Sequence, residues 1–466
     1  MALEDAGGRR RTPADGMVVS RTVTPAAADG SPPSAPVLPG LPNGPATDGA
    51  EVRVLLYSHD GFGLGHLQRN FNIARHLAAA IPGASALLVA GSPHGFDCRL
   101  PPGVDWIKIP SVIRRGSGRW EPRTLGVSRE RVRELRAGAI RSAVETFRPH
   151  LVVVDHLPTG VWGELIPTLE FCQGLAAPPR IVLGLRDILD RPETTRRQWM
   201  RQGAYEALEK YYDRVLIYGD REVFATAEVY GLSECMAGKV AYCGYVGPSV
   251  PRRAARRVRR ELALRPHEKL VVVCGGGGAD AYGLMTAAAE ALARLAAERS
   301  LRAILLTGPL MGERRRQALR RRIAGLPIEV WWQVEDQPAL LGAADLVVSM
   351  AGYNTMTEAL MQRRRLVVAP RAGPSAEQTL RAAAFARRGL ITMLPPTELS
   401  AARLAGLIER HLTLPLPPAA GRPRMDGLRE VVRELRSLLP GAAAPGRGAS
   451  AGRPSGHDQG AKPNSA

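Results

Sequence analysis

The sequence predicts an α/β protein with two doubly wound, Rossmann-like parallel-sheet domains facing each other across a cleft. Three observations predict it. The chain has 466 residues, more than one domain ordinarily needs. Apolar runs of strand length alternate with longer stretches of helical periodicity, the pattern of parallel sheets covered by helices. Each half opens with the same device: an apolar strand, a glycine-rich turn, then a helix.

Taken in order, residues 1–50 are rich in Pro, Ala, Gly and Asp without apolar periodicity, and they read as a disordered tail. The predicted strands of the first domain are Val52–Tyr57, Ala86–Val89, Leu151–Val154, Ile181–Leu185 and Val215–Tyr218. Those of the second are Leu270–Cys274, Ala303–Thr307, Leu346–Ser349 and Leu366–Ala369. Helical patterns lie between them, such as Val132–Phe147 and Leu284–Glu298, and Ser400–Leu412 follows the last. The run Gly244-Tyr-Val-Gly-Pro-Ser-Val-Pro breaks the alternation before a basic helix, so the domains are set at 51–247 and 248–439. Residues 440–466 repeat the composition of the first tail and read the same way.

Composition excludes several classes. No window holds the roughly 18 consecutive apolar residues of a membrane span. The start of the chain lacks the apolar core of a secretory leader. Five scattered cysteines match neither a disulfide framework nor zinc spacing, which points to a cytoplasmic location. The net charge of +19 lies almost wholly between the tails, and only five of the 63 basic residues are lysine. That bias, with abundant Ala, Gly and Pro, fits GC-rich coding, and a solvated arginine face accounts for it. Nucleic acid is therefore disfavoured as a partner, while a peripheral contact with an anionic membrane surface stays open.

Several stretches carry the chemistry. After the strand Leu270–Cys274 stand Gly275, Gly276, Gly277 and Gly278, which let a backbone approach a diphosphate at a helix start. Packing alone is the competing explanation. In Ser349-Met-Ala-Gly-Tyr-Asn-Thr-Met-Thr-Glu358, residues Ala351, Gly352, Asn354 and Thr355 form a turn into a helix. Glu358 either accepts from a ribose diol or closes a capping box with Thr355. Glu377 and Gln378 follow the next strand and offer partners for sugar hydroxyls, or simply balance a helix dipole. In Gly63-Leu-Gly65-His66-Leu-Gln-Arg69, His66 begins a helix beside a glycine loop and is the candidate base, with Arg69 on its face to hold an anion. Asp155, Arg186 and Asp187 end strands, where charged groups line the cleft in this architecture or simply pair with one another. The basic, aromatic segment 112–120 reads as an exposed loop, with an acceptor-site loop or a membrane contact as alternatives.

With these pieces placed, the chain resembles the GT-B glycosyltransferases, and within them the bacterial group related to the peptidoglycan N-acetylglucosaminyltransferase. The resemblance rests on Tyr57-Ser-His-Asp-Gly-Phe-Gly-Leu-Gly-His66, Val154-Asp-His, Leu183-Gly-Leu-Arg-Asp187, Gly244-Tyr-Val, Gly275–Gly278, Met350–Glu358 and Glu377-Gln378, over about residues 50–412. It implies that 51–247 is the acceptor domain and 248–439 the nucleotide-sugar domain. It further implies that Glu358 binds ribose, that Gly275–Gly278 and Ala351–Thr355 cradle phosphate, and that Glu377 and Gln378 touch the donor sugar. His66 matches the histidine of the family's N-terminal loop. A UDP-sugar co-substrate, no metal, no other cofactor and inversion at the anomeric carbon are implied as well. The pattern Gly278-Ala-Asp280 departs from the family's loop ending, which puts the phosphate geometry in doubt. The acceptor is not legible. Two rivals stay open: a nucleotide-sugar hydrolase, whose N-terminal loop is similar to Gly63-x-Gly-His-x-x-Arg69, and a non-catalytic nucleotide-sugar or polyanion binder.

Overall fold

The first sheet has seven strands in the order Val104–Lys108, Ser85–Ala90, Arg53–Ser58, Leu151–Asp155, Arg180–Arg186, Arg214–Tyr218, Val240–Tyr242. Every neighbouring pair is parallel. The second has six, in the order Ile328–Trp331, Leu301–Leu306, Lys269–Cys274, Leu346–Ser349, Arg365–Val368, Thr392–Met393, again all parallel. This is a computed structural model, and it describes residues 52–59, 65–93, 100–115, 119–248, 250–415 and 421–439. The two predicted tails and Gly63 lie outside the described residues.

Central strands read as unbroken apolar runs because helices cover both faces of each sheet. Leu151–Asp155 is buried at every position, and so are Leu270–Cys274. All nine strands expected from the sequence are present. Those the sequence hid are at the margins: Val104–Lys108, Val240–Tyr242, Ile328–Trp331 and Thr392–Met393. Edge strands are half-exposed, so polar residues such as Asp105 and Glu329 dilute their apolar signal. Segment 112–120, expected as a loop, instead supplies both strands of an antiparallel hairpin, Val112–Arg115 with Arg119–Pro122. Its alternation of inward and outward side chains is too short to stand out in a basic run.

One contiguous apolar cluster joins the lobes. It runs from Val54, Leu56 and Val153 of the first sheet to Val272 and Val347 of the second and Met356 of the helix Tyr353–Met361. The chain crosses between lobes twice, and the crossings lie side by side: Tyr245 N–H donates to Arg424 O at 2.8 Å, and Gly427 N–H to Tyr245 O at 3.2 Å. Gly244 has φ 84°, and a Cβ there would stand 2.8 Å from Arg424 O, so only glycine fits the crossing. The final helix, Gly427–Ser437, departs from the sequence-based division. It packs against the helix Gly65–Ala80, and Glu434 pairs with Arg214, so it belongs to the first lobe. Its apolar stripe of Leu428, Val431, Val432 and Leu435 gives a partner-seeking face without naming the partner. Among the described residues no helix is long and apolar enough to cross a membrane.

Candidate active site

In a doubly wound sheet, ligands bind beyond the carboxyl ends of the strands where the strand order reverses. Both sheets reverse between their first and fourth strands in chain order of the winding. In the first lobe that point lies between Arg53–Ser58 and Leu151–Asp155; in the second, between Lys269–Cys274 and Leu346–Ser349. The two points open on one cavity of about 410 Å³ between the lobes.

The first lobe supplies side chains. The helix Gly65–Ala80 starts at the cavity, which puts His66 in its first turn, 9% exposed and on the cavity wall. Its Nδ1 lies 2.5 Å from Asp155 Oδ2. Arg69, one helical turn on, donates from Nη2 to Asp155 Oδ1 at 2.5 Å. Asp155 is 1% exposed and stands behind His66 rather than on the wall, as the sequence had suggested. Burial alone would raise its pKa, but Arg69 and His66 together hold it well below the usual carboxylate range. An ionised Asp155 keeps the His66 proton on Nδ1 and leaves Nε2 free to accept one. Burial lowers the His66 pKa, with Asp155 partly opposing it, so the imidazole is neutral at pH 7. Arg69 lines the cavity, but its charge is matched by Asp155, and its guanidinium lies 5.6 Å from the rings of both Tyr218 and Tyr353. It holds Asp155 in place beside His66.

Two further histidines complete this wall. His59 and His156 have ring centroids 4.9 Å apart, and each is 5.2 Å from His66. Burial, then the neighbouring positive groups, pushes both pKa values well below the ordinary histidine range. Trp120 of the hairpin packs edge-on to His59 at 5.3 Å and also lines the cavity. The buried pair Arg136–Glu164, with Tyr57 Oη donating to Glu164 at 2.5 Å, holds the floor beneath them.

The second lobe supplies backbone. Gly276 and Gly277 reach the cavity; Gly275 and Gly278 do not. A Cβ on Gly275 would meet Ala281 Cβ at 2.7 Å, and one on Gly278 would meet Thr307 O at 2.3 Å. Those two glycines therefore serve packing, and the four-glycine run divides between cavity wall and core. Gly308 interlocks with this loop and lines the cavity with Pro309. The helix Tyr353–Met361 begins at Gly352. Gly352, Asn354 and Thr355 line the cavity, where the first N–H groups of the helix lack intrahelical partners. Ala351 is buried with φ 63° and turns its carbonyl away, to Arg381. Asn354 Nδ2 also donates to Gly65 O at 3.2 Å, tying the two loops together.

Of the two sequence readings of Glu358, the helix excludes the capping box. Thr355 is inside the helix rather than its N-cap, so no capping box forms. The carboxyl is 1% exposed, off the cavity wall, and accepts from Gln337 Nε2 at 2.7 Å. Burial pushes its pKa up to about 7. Gln337 lies on the wall, two residues after a wall segment, Trp332-Gln333-Val334-Glu335, that sequence reasoning missed. The signal available was a polar run directly after an apolar strand end, weakened because the strand Ile328–Trp331 is itself short.

Glu377 and Gln378 both line the cavity. Glu377 Oε1 accepts from Arg186 Nη1 at 2.5 Å and from Arg381 Nη1 at 2.8 Å. Burial opposes ionisation, but the two arginines hold its pKa down to about 2. Gln378 Oε1 accepts from Arg371 N–H at 3.1 Å. Arg186 is on the wall; Asp187 is fully buried away from it, bound to Arg381 and to Tyr245 Oη, because the strand has ended and its side chain turns toward the lobe interface.

Comparison with known proteins places these two lobes. Residues 270–424 match the family described as glycosyltransferase family 28 C-terminal domain. A 125-residue stretch is 31% identical to the UDP-N-acetylglucosamine–N-acetylmuramyl-(pentapeptide) pyrophosphoryl-undecaprenol N-acetylglucosamine transferase of Sinorhizobium fredii. That stretch spans 26% of this chain and 33% of the relative, about a third of its length. Among solved structures, the glycotransferase of kitacinnamycin superposes with TM-score 0.53 at 17% identity, over 84% of this chain and 100% of that one. UGT2 of Phytolacca americana gives TM-score 0.54 at 12% identity, over 84% and 94%. TcCGT1 gives 0.55 at 14%, over 84% and 96%. At such identities the superpositions establish the fold of both lobes, and the sequence match establishes the kinship of the second. The two lobes thus share the fold of these glycosyltransferases, and residues 270–424 are related to the glycosyltransferase family 28 C-terminal domain.

Proposed function

We propose that this protein transfers a sugar from a nucleotide-sugar donor to an acceptor hydroxyl. The observation that carries the reading is the His66–Asp155 pair, 2.5 Å apart, facing a glycine-lined helix start across one cavity. On this reading the second lobe holds the donor. The Gly276–Gly277 backbone and the helix starting at Gly352 receive the diphosphate, and their N–H groups stabilise the charge that develops on it as it leaves. The base lies beside Trp332, Gln333 and Gln337. UDP is the nucleotide that the likeness to the UDP-N-acetylglucosamine enzyme favours.

The acceptor sits against His66, His156 and Trp120 of the first lobe. His66 Nε2 takes the acceptor's hydroxyl proton as its oxygen attacks the anomeric carbon, and Asp155 stabilises the imidazolium that forms. The C–O bond to the diphosphate breaks in the same step. Glu377 is tied to two arginines and is a poor nucleophile, which favours direct displacement and therefore inversion. The backbone donors would do the work of a metal ion on the leaving group, a metal-independent mechanism.

A thermal-shift screen of nucleotide sugars and free nucleotides tests the donor assignment. A selective shift names the donor. No shift by any nucleotide sugar would sink the reading. Stoichiometric release of free sugar without acceptor would replace it with a hydrolase.

A further inference from the structure

Four charged side chains meet between the lobes, and two of them, Asp187 and Arg381, stand off the cavity wall. Arg186 and Asp187 come from the end of a first-lobe strand; Glu377 and Arg381 come from one face of the second-lobe helix Glu377–Arg387. The set is electrically neutral, and Arg381 is 1% exposed. Every edge of its guanidinium is used. Nε and Nη2 grip Asp187 at 3.1 and 2.7 Å, and Nη2 also donates to Ile188 O at 3.2 Å. Nη1 donates to Glu377 Oε1 at 2.8 Å and to Ala351 O at 3.1 Å. The last contact is the telling one. Ala351 has φ 63°, a conformation disfavoured for a residue with a Cβ, and it immediately precedes the loop Gly352–Thr355 that lines the cavity. One guanidinium thus pins both the strained start of that loop and a carboxylate of the opposite lobe.

Resting on the donor assignment above, we propose that Arg381 is a positioning residue that makes the donor-binding loop competent only while Asp187 of the first lobe is docked against it. If the lobes part, Arg381 keeps Glu377 but loses its main counter-charge. A buried arginine with half its partners gone reorients toward new ones, and the Ala351 carbonyl loses the donor that holds it. Donor binding and lobe docking then favour each other, and the coupling is reciprocal. Arg381 itself is absent from the cavity wall, so it acts through Ala351 and Glu377 rather than on the ligand.

The test uses the full chain and UDP, or whichever of ADP, GDP, CDP and dTDP the wild type binds. Asp187→Asn keeps the side chain's size and removes its charge, at a residue with no place on the cavity wall. Calorimetry should show nucleotide affinity reduced at least about fivefold, the low end of ordinary coupling. X-ray scattering should show a larger radius of gyration without nucleotide, returning to the wild-type value at saturation. Arg381→Lys keeps the charge but cannot bridge Asp187 and Ala351 together. It should weaken nucleotide binding while thermal unfolding stays cooperative, and it serves alone if Asp187→Asn does not fold. A folded variant of either kind with wild-type nucleotide affinity overturns the proposal. A purely structural role would lower the melting temperature and leave the affinity of the folded protein unchanged. A wild type that binds none of these nucleotides overturns the donor assignment itself, and this proposal with it.

Discussion

The two lobes share a topology and a reversal point, yet they furnish that point with opposite materials. In the first lobe the space beyond the strands is filled by titratable side chains: His66, Asp155, Arg69, His59 and His156. In the second, four glycines, Gly276, Gly277, Gly308 and Gly352, bring bare backbone to it, beside polar side chains such as Gln337, Glu377 and Gln378. On the proposed function, the difference follows from what each half handles. Moving a proton requires a group whose charge changes near neutral pH, and only side chains have one. Holding a diphosphate requires many fixed donors at close range, which bare backbone at a helix start provides without ordering long side chains. On that reading, one fold separates proton chemistry, on titratable side chains of the first lobe, from phosphate recognition, on glycine backbone of the second.

Breaking the side-chain half should give the largest effect. His66→Ala should lower the rate of sugar transfer by about 10²–10⁴-fold, with donor affinity by calorimetry within error of the wild type. Unchanged turnover would remove His66 from the chemistry. Asp155→Asn should lose most of the same factor, because an amide neither fixes the His66 tautomer nor stabilises the imidazolium. The pH profile sharpens this. Burial lowers the His66 pKa from 6.5, so wild-type transfer should be level above pH 6.5 and fall only at more acid pH, where the base is protonated. An acid limb centred above pH 6.5 would contradict the buried, neutral base.

The backbone half should break through shape. Gly278 has φ 95° and no room for a Cβ, whereas Gly276 has φ 58° and open space. Gly278→Ala should therefore destabilise the protein by at least about 2 kcal/mol in denaturant titration, since it adds a clash to left-handed strain. Gly276→Ala should cost about 1–2 kcal/mol yet impair nucleotide binding more than Gly278→Ala does at equal folded fraction. Equal behaviour of the two would refute the division of the glycine run between ligand and core.

The smallest effect concerns Glu358. Its folded pKa of about 7 lies above the reference value of 4.5, so its favourable contribution is present below pH 4.5 and is lost as pH rises through 7. Glu358→Gln should be more stable than the wild type at pH 8 by up to about 3 kcal/mol, and no different at pH 4. If the variant also binds nucleotide normally, the carboxylate is not a ribose ligand in this protein.

Strand ends carry most of what the sequence made legible. Leu151–Val154, Ile181–Leu185 and Leu346–Ser349 announce themselves because fully buried strands cannot hide their apolar runs, and the residues after them fall at the site by topology. What those residues do there was less legible. Asp155 and Asp187 follow equivalent apolar runs, but one orients the candidate base and the other docks the opposite lobe. Arg381 had no signal at all. In a chain with 63 basic residues, a buried arginine with four hydrogen-bond partners looks like any solvated one. Gln337 was likewise invisible, since its importance comes from standing in front of Glu358.

By itself, then, the sequence determined the secondary elements of the two cores, their winding and the edge on which chemistry could occur, because those depend on local periodicity and on the handedness of parallel crossovers. Only the tertiary structure decided which polar groups face the cavity and which face each other. That depends on contacts between residues far apart in the chain, such as Arg381 and Asp187, 194 positions apart. Their energy comes from shared exclusion of water, which no local pattern records.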